Sequence, residues 1–124
     1  MAKICLRLRK TFMNQWTEKH CKPCEGGIKP LSANELNQNL QEIPGWILDK
    51  TGVNYIERTF EFKNYYHTMA FVNAVAFIAH QENHHPDLEV GYNRCLVRYQ
   101  THAIKGLSEN DFICAAKVNA LINA

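Results

Sequence analysis

A change of hydrophobic period at Asn64 constrains the fold of this chain more than any other feature of its sequence. Val53 to Phe62 alternates apolar and polar residues, apart from Arg58 on the apolar side, and this predicts a strand covered on one face. From Asn64 to Glu82 apolar residues recur three and four apart, which predicts a helix with Asn64 as its N-cap. A strand that leads directly into a long helix predicts that the helix packs back against the sheet.

Apolar residues cover this predicted helix nearly all round. There are two apolar stripes, Met69, Val72, Ala76 and Ala79 in the first and Phe71, Val75 and Ile78 in the second. A helix that is apolar on more than one side is covered by more than one neighbour. We therefore expect it to meet the sheet and also another element or another subunit.

The remaining segments complete the pattern of an α+β domain. Ser32 and Glu35 form a capping box at the start of a helix over Leu31 to Glu42. Ser108 and Asp111 repeat that arrangement before a last helix, although Asp111 could also orient an imidazole. Further strands are predicted at Gly45–Asp49, Asp87–Val90 and Arg94–Thr101, with a turn at Lys50–Gly52. The order α-β-β-α-β-β-α predicts a four-stranded antiparallel sheet with three helices packed on one face.

Length and charge limit the class of protein. At 124 residues with 46% hydrophobic content the chain suits one domain, and no apolar run approaches the roughly 18 residues of a membrane span. Residues 1–30 hold seven Lys or Arg against two Asp or Glu, whereas residues 31–124 hold seven against ten. An acidic body is a poor general binder of nucleic acid, which requires clustered cationic contacts to phosphate. We expect a cytoplasmic protein without a membrane or nucleic-acid partner.

Residues 1–30 are expected to form a basic, flexible leader before a domain over residues 31–124. Residues 1–12 suggest a disordered arm or an upstream extension ahead of Met13, with an added edge strand or a targeting segment as the alternatives. From residue 14 to residue 30 no periodicity develops and Pro and Gly interrupt the chain, so a loop or tail is predicted.

The leader contains a histidine next to a C-x-x-C pair. His20, Cys21 and Cys24 could supply metal ligands or a redox pair, or the pair could be incidental, because no second C-x-x-C completes a four-ligand zinc site. The five cysteines are an odd number in a chain large enough to fold without crosslinks. Reduced thiols are therefore expected rather than a disulfide framework.

Three of the six histidines lie within six residues where the long helix ends. Pro86 is expected to stop the helix and to turn the chain extended, which leaves His84 and His85 at the corner. One interpretation is a polar corner, and a second is a metal site in which His80 and His84 lie four apart without an H-E-x-x-H pattern. The third is general acid–base chemistry, completed by His102 at the end of a strand.

Several motifs in a fixed order resemble the pterin-4a-carbinolamine dehydratase family. These motifs are Asn83-His84-His85-Pro86, Tyr92-Asn93, Thr101-His102 and the run from Gly106 to Phe112. The resemblance extends from about Leu31 to the C-terminus, and the leader with Cys21 and Cys24 resembles leaders on some bacterial members. It implies an α+β enzyme, a hydro-lyase that removes water from a 4a-hydroxytetrahydropterin to give the quinonoid dihydropterin.

The resemblance also implies roles for individual residues. His84 and His102 would be the two acid–base residues, with either one as the acid, and His85 would contact and orient the pterin, so that these three are the expected catalytic residues. The pocket would be lined by Asn83, His84, His85, Gln100, Thr101, His102 and Ala103. Asp111 and His80 would support the site, and neither a metal nor an organic cofactor is implied.

Two positions depart from the family pattern. His80 stands where the family usually has a glutamate, and Leu88 stands where many members have an aromatic residue. The implied partners are the pterin substrate, further copies of the chain in a homodimer or homotetramer, and an aromatic amino-acid hydroxylase whose cofactor would be recycled during phenylalanine hydroxylation. The alternative is a non-catalytic regulatory or binding protein on the same fold.

Overall fold

A computed structural model describes residues 15–23, 28–49 and 54–123 of the chain. In these residues an antiparallel sheet with strand order β1-β2-β4-β3 is covered by helices, which confirms the predicted α+β class and element order. The helices are α1 (Ala33–Leu40), α2 (Tyr65–Glu82) and α3 (Glu109–Asn123), and the strands are β1 (Ile47–Leu48), β2 (Ile56–Glu61), β3 (Asp87–Val90) and β4 (Arg94–Tyr99).

The core lies between the sheet and the helices. β2 and β4 pair with Ile56 opposite Tyr99 and Phe60 opposite Cys95, so that the apolar residues of both strands share one face. All four are buried, as the alternation in the sequence predicts, and they pack with the buried residues of α2 and α3 in one cluster. The side chains that point to this face from the end of β4 therefore approach the helices that carry the candidate site.

Arg58, the exception on the apolar face of β2, has its own set of partners. Its guanidinium donates to the Pro44 carbonyl oxygen at 3.0 Å and to Asn119 Oδ1 at 2.7 Å, and it lies over the ring of Phe60. Burial lowers the pKa of Arg58 below its ordinary value. A charge on an apolar face is tolerated because these acceptors and the ring replace its water.

The second of the two apolar stripes on α2 forms its buried side, while Val72 of the first stripe packs partly buried against the core. Phe71, Val75 and Ile78 are buried, whereas the first stripe, from Met69 to Ala79, is half-buried or exposed. The buried side continues to Glu82, a carboxylate at a position where the helical spacing would place an apolar residue. α2 thus carries a buried charged group to its very end.

α2 ends at Glu82 as predicted, with its C-cap at Asn83, three residues before Pro86. Asn83 adopts the left-handed conformation at φ 51°, and its N–H and that of His84 donate to carbonyl oxygens of the last turn. Asparagine tolerates this conformation better than most residues. The reversal at Asn83 turns His84 back beneath the helix end.

Part of the leader packs on the domain. Residues Gln15–Glu18 form a 3₁₀ helix instead of the predicted loop or tail, and the Trp16 ring is buried at a centroid distance of 6.4 Å from Phe112 of α3. The indole N–H of Trp16 donates to Glu42. The predictions for residues 1–14, for Cys24 and for the turn at 50–52 lie outside the described residues. In the ranges the structure does describe, none of the helices combines the length and apolar character needed to cross a membrane.

Candidate functional site

His85 and His102 face each other at the surface of the molecule. Their ring centroids are 6.2 Å apart with the planes at 27°, and both side chains are exposed. The antiparallel register of β3 and β4 explains this contact between the rings. Because Asp87 pairs with Arg98, the residues just before β3 lie beside the residues just after β4. His102 opens a 3₁₀ turn that is closed by a bridge between Thr101 and Gly106.

His84, the residue before His85, is buried and is held by a carboxylate. Its side chain is 7% exposed, its Nε2 is 2.7 Å from Asp111 Oδ1, and its ring stacks on Tyr99 at 5.7 Å. A carboxylate oxygen accepts hydrogen bonds, so in this contact the Nε2–H of His84 donates to Oδ1 of Asp111. No group of the described residues bonds the other ring nitrogen. Nδ1 of a neutral His84 is therefore an acceptor available to a ligand.

Asp111 is the hub of a buried polar network. It is fully buried and accepts from His84, from the Thr101 hydroxyl at 2.8 Å and from the Ser108 N–H at 2.9 Å. The bond from Ser108 is the capping contact that the sequence predicts for α3. Asp111 thus performs both functions that the sequence left as alternatives, since it caps α3 with Oδ2 and orients an imidazole with Oδ1.

The other predicted site residues differ in their access to the surface. Thr101 is fully buried, and its hydroxyl is bonded to Asp111 and Ser108, so this side chain supports Asp111. Asn83 and Ala103 are exposed, and Gln100 is half-buried. His80 is exposed on α2, and within the described ranges no contact joins its side chain to the three imidazoles.

Tyr99 is a site residue for which the sequence predicted only a core position. It is the last residue of β4, and its ring forms the wall against which His84 stacks. Burial raises the pKa of Tyr99 well above its ordinary value of 10, and the neighbouring Cys114 thiol acts in the same direction. The phenol is therefore neutral, and Tyr99 shapes the site without titrating.

Glu82 is a second residue whose importance the sequence did not reveal. Only 1% of its side chain is exposed, and it accepts from the Cys21 N–H at 2.8 Å, contacts His20 Nδ1 at 3.0 Å and lies 3.4 Å from Lys117 Nζ. Burial by itself would raise the pKa of Glu82, but these hydrogen bonds and the charge of Lys117 outweigh it and hold the pKa below its ordinary value of 4.5. The signal in the sequence was a carboxylate on the buried stripe of α2.

The lowered pKa of Glu82 predicts acid-dependent stability. A carboxylate whose folded pKa is depressed stabilises the folded state above its unfolded pKa, and this contribution is lost as the pH falls through the folded value. We expect Glu82→Gln to lower the free energy of unfolding at pH 7, and the difference from wild type to shrink below about pH 4.5. Denaturant titrations from pH 7 to pH 3 measure it, with the exposed Glu61→Gln as the matched control. A difference in free energy of unfolding between Glu82→Gln and wild type that is the same at pH 7 and at pH 3 would contradict this account.

Within the described ranges, no three histidine, cysteine or acidic side chains converge to hold a metal ion. Cys21 is half-buried, and its Sγ is 3.6 Å from the Sγ of Cys114 on α3. Its hydrogen bond with Cys114, together with burial, raises the pKa of the Cys21 thiol. This thiol is therefore a protonated packing group beside α3.

Comparisons with known proteins agree on one family. A family model described as pterin 4 alpha carbinolamine dehydratase matches residues 29–121. A provisionally named pterin-4-alpha-carbinolamine dehydratase of Nitrosospira multiformis is 58% identical over 112 residues, which cover 90% of this chain and 96% of that protein. A protein of Nitrosomonas eutropha with the same name is 61% identical over 106 residues, covering 85% of this chain and 91% of the relative. Because 112 residues exceed the length of residues 31–124, the first match continues into the leader.

A solved structure shares the fold. The crystal structure of a transcriptional coactivator/pterin dehydratase from Brucella melitensis superimposes with a TM-score of 0.71. It is 33% identical and covers 75% of this chain and 98% of that protein. The sheet and helices described above are thus an architecture already known from a protein of that description.

Proposed function

The chain belongs to the pterin 4 alpha carbinolamine dehydratase family, and from that premise we propose that it removes water from a 4a-hydroxytetrahydropterin to give the quinonoid dihydropterin. The observation that carries the proposal is the set of three imidazoles, His84, His85 and His102, in which a buried aspartate orients the innermost ring. Proton transfer is the chemistry that such a set supplies near neutral pH.

The elimination requires one proton to be delivered and one to be removed. The C4a–O bond breaks as the hydroxyl oxygen gains a proton and leaves as water, while loss of the N5 proton lets the C4a–N5 double bond form. In our proposal His84 accepts the N5 proton through Nδ1, because its Nε2 proton is engaged by Asp111. The exposed His102 delivers the other proton, and before the next turnover solvent returns a proton to His102 while His84 releases the one it accepted.

His85 has a positioning function in this proposal. Its ring lies face to face with that of His102, so the two imidazoles are together on one edge of the site. Stacking of a flat pterin on His85 would hold the substrate at this edge of the site. Binding and orientation of this kind hold the substrate where the two proton transfers can occur.

The wider setting is proposed on the family alone. The dehydration would recycle the tetrahydropterin cofactor of an aromatic amino-acid hydroxylase, in the cytoplasm, with the chain in a homodimer or homotetramer. The elimination itself consists of proton transfers that side chains can perform, so no cofactor is invoked. A non-catalytic regulatory role is the second candidate. It is favoured by the Brucella melitensis structure, which is described as a transcriptional coactivator/pterin dehydratase, and by the histidine at position 80.

The decisive experiment is dehydration of chemically generated 4a-hydroxytetrahydropterin, followed by ultraviolet absorbance. We expect the wild type to accelerate the spontaneous reaction, and His102→Ala to lose about 10²-fold or more of that acceleration. His67→Ala is the matched control, because His67 is an exposed histidine at the start of α2, away from the other imidazoles. A wild-type rate equal to the spontaneous rate would reject the enzyme and favour the regulatory candidate.

A further inference from the structure

Residues that adjoin His84 and Asp111 in the chain are bonded to one short stretch of the leader, Lys19–Lys22, which we call the docking segment. Glu82, two residues before His84, accepts the N–H of Cys21 at 2.8 Å. Asn110, the residue before Asp111, accepts the N–H of Lys22 at 3.0 Å and donates its amide to the Lys22 carbonyl oxygen at 2.7 Å. Two successive residues of the leader therefore bind the end of α2 and the start of α3.

Side chains of the docking segment reinforce these backbone bonds. The Cys21 thiol contacts the Asn110 carbonyl oxygen at 3.6 Å and the Cys114 thiol at the same distance. Lys19 forms an ion pair with Glu109 at 3.2 Å on the first turn of α3. Just upstream, the buried Trp16 anchors the segment against the same helix.

Glu82 and Asn110, which bind the docking segment, are buried, so water cannot easily take over the hydrogen bonds that the segment makes to them. Glu82 and Asn110 are 6% and 2% exposed as residues, so their polar groups depend on protein partners. A buried carboxylate that loses the Cys21 N–H must find another donor or move toward solvent. Movement of Glu82 would carry with it the Asn83 reversal that directs His84 toward Asp111.

We propose that the docking segment is a positioning element of the active site, which acts through Glu82 and Asn110 to hold His84 against Asp111. The inference rests on the proposed function for its effect on turnover, but not for its effect on the imidazole. Catalytic side chains must be held within about 0.5 Å of their productive geometry, and a misplacement near 1 Å can cost about 10²-fold in rate. The leader would thus contribute to catalysis without touching the substrate.

The test removes one hydrogen-bond donor from the docking segment and leaves the domain unchanged. Cys21→Pro lacks the N–H that Glu82 accepts, whereas Cys21→Ala loses only the thiol and keeps the N–H. We expect Cys21→Pro to lower kcat about tenfold with KM within about twofold, and Cys21→Ala to lose less than about threefold. Glu109→Gln breaks the exposed ion pair with Lys19 but keeps the bonds to Glu82 and Asn110. It is the control for a general weakening of the contact between the docking segment and the domain.

A second readout separates this inference from the proposed activity. The proton that His84 Nε2 donates to Asp111 is observable by NMR in the full chain, and we expect it to broaden through exchange in Cys21→Pro but not in Cys21→Ala. If the wild type does not turn over the pterin, the proposed function fails and this signal alone decides the positioning role. An unchanged signal in Cys21→Pro would overturn the inference, whatever the value of kcat.

A second variant keeps the test decisive if Cys21→Pro does not fold. Asn110→Ala removes the other attachment point, the amide that exchanges two hydrogen bonds with the Lys22 backbone. It is expected to reproduce the loss in kcat and the broadened His84 signal. Wild-type values for both quantities in folded Asn110→Ala would overturn the positioning role.

Discussion

Replacement of His84 with alanine is expected to lower kcat for pterin dehydration by about 10²–10⁴-fold, the range for loss of a general acid or base. His84 is the innermost imidazole of the site, and Asp111 and Tyr99 leave its ring one orientation. Stopped-flow absorbance with chemically generated substrate measures the effect, with His67→Ala as the control. A His84→Ala variant with wild-type kcat would assign the proton transfers to the exposed pair alone.

Asp111→Asn tests whether the carboxylate acts through His84. Asparagine keeps the shape but replaces one acceptor oxygen with a donor, so that either His84 or the Thr101 and Ser108 donors lose their partner. If Asp111 serves the reaction by orienting His84, the double variant His84→Ala/Asp111→Asn should lose little more kcat than His84→Ala alone. The effects of residues that act as a unit are not additive. Additive losses would show that Asp111 contributes by a separate route.

Replacement of Trp16 with alanine is expected to lower the free energy of unfolding by about 3–5 kcal/mol, the range for truncation of a buried aromatic residue. Its ring is 5% exposed, packs against Phe112 and lies beneath the Lys19 ammonium at 4.3 Å. The sequence alone gave this residue no role, because it lies in a stretch without periodicity. Urea titration followed by circular dichroism measures the loss.

The matched control for Trp16 is another large aromatic residue that is left in water. Tyr66 on α2 is 78% exposed, and Tyr66→Ala is expected to change the free energy of unfolding by no more than about 0.5 kcal/mol. A loss in Trp16→Ala as small as that of the control would show that residues Gln15–Glu18 of the leader are not part of the folded domain in solution. The positioning role of the docking segment would then lose its anchor.

Local signals in the sequence were sufficient for most of the fold. The capping box of Ser32 and Glu35, the N-cap at Asn64 and the alternation in β2 and β4 each depend on neighbours in the chain, and all are present. The end of α2 was predicted at the right residue. The sequence indicated Pro86 as the cause, whereas the structure shows a left-handed C-cap three residues earlier, at Asn83. Which stripe of α2 is buried could not be predicted, since both stripes are apolar.

The candidate site was only partly predictable. The three imidazoles are predicted from their spacing and from the resemblance to a family, and of these the comparisons confirm the family. Thr101 was expected at the pocket wall, but its position in the chain could not show that its hydroxyl turns inward to Asp111. The sequence does not single out Glu82, because a carboxylate near the end of a helix is ordinary, and only the packing shows that it is buried.

The sequence by itself determined the order of helices and strands, the residue types available for proton transfer and the family to which the chain belongs. These properties depend on local periodicity and on motifs, which a single chain displays directly. The tertiary structure alone decided that His84 is held by Asp111 while His85 and His102 face each other, and that the leader reaches Glu82 and Asn110. The physical reason is that burial and hydrogen bonding between distant segments depend on the packing of the whole chain, in which residues 20–22 and 110–114 become neighbours.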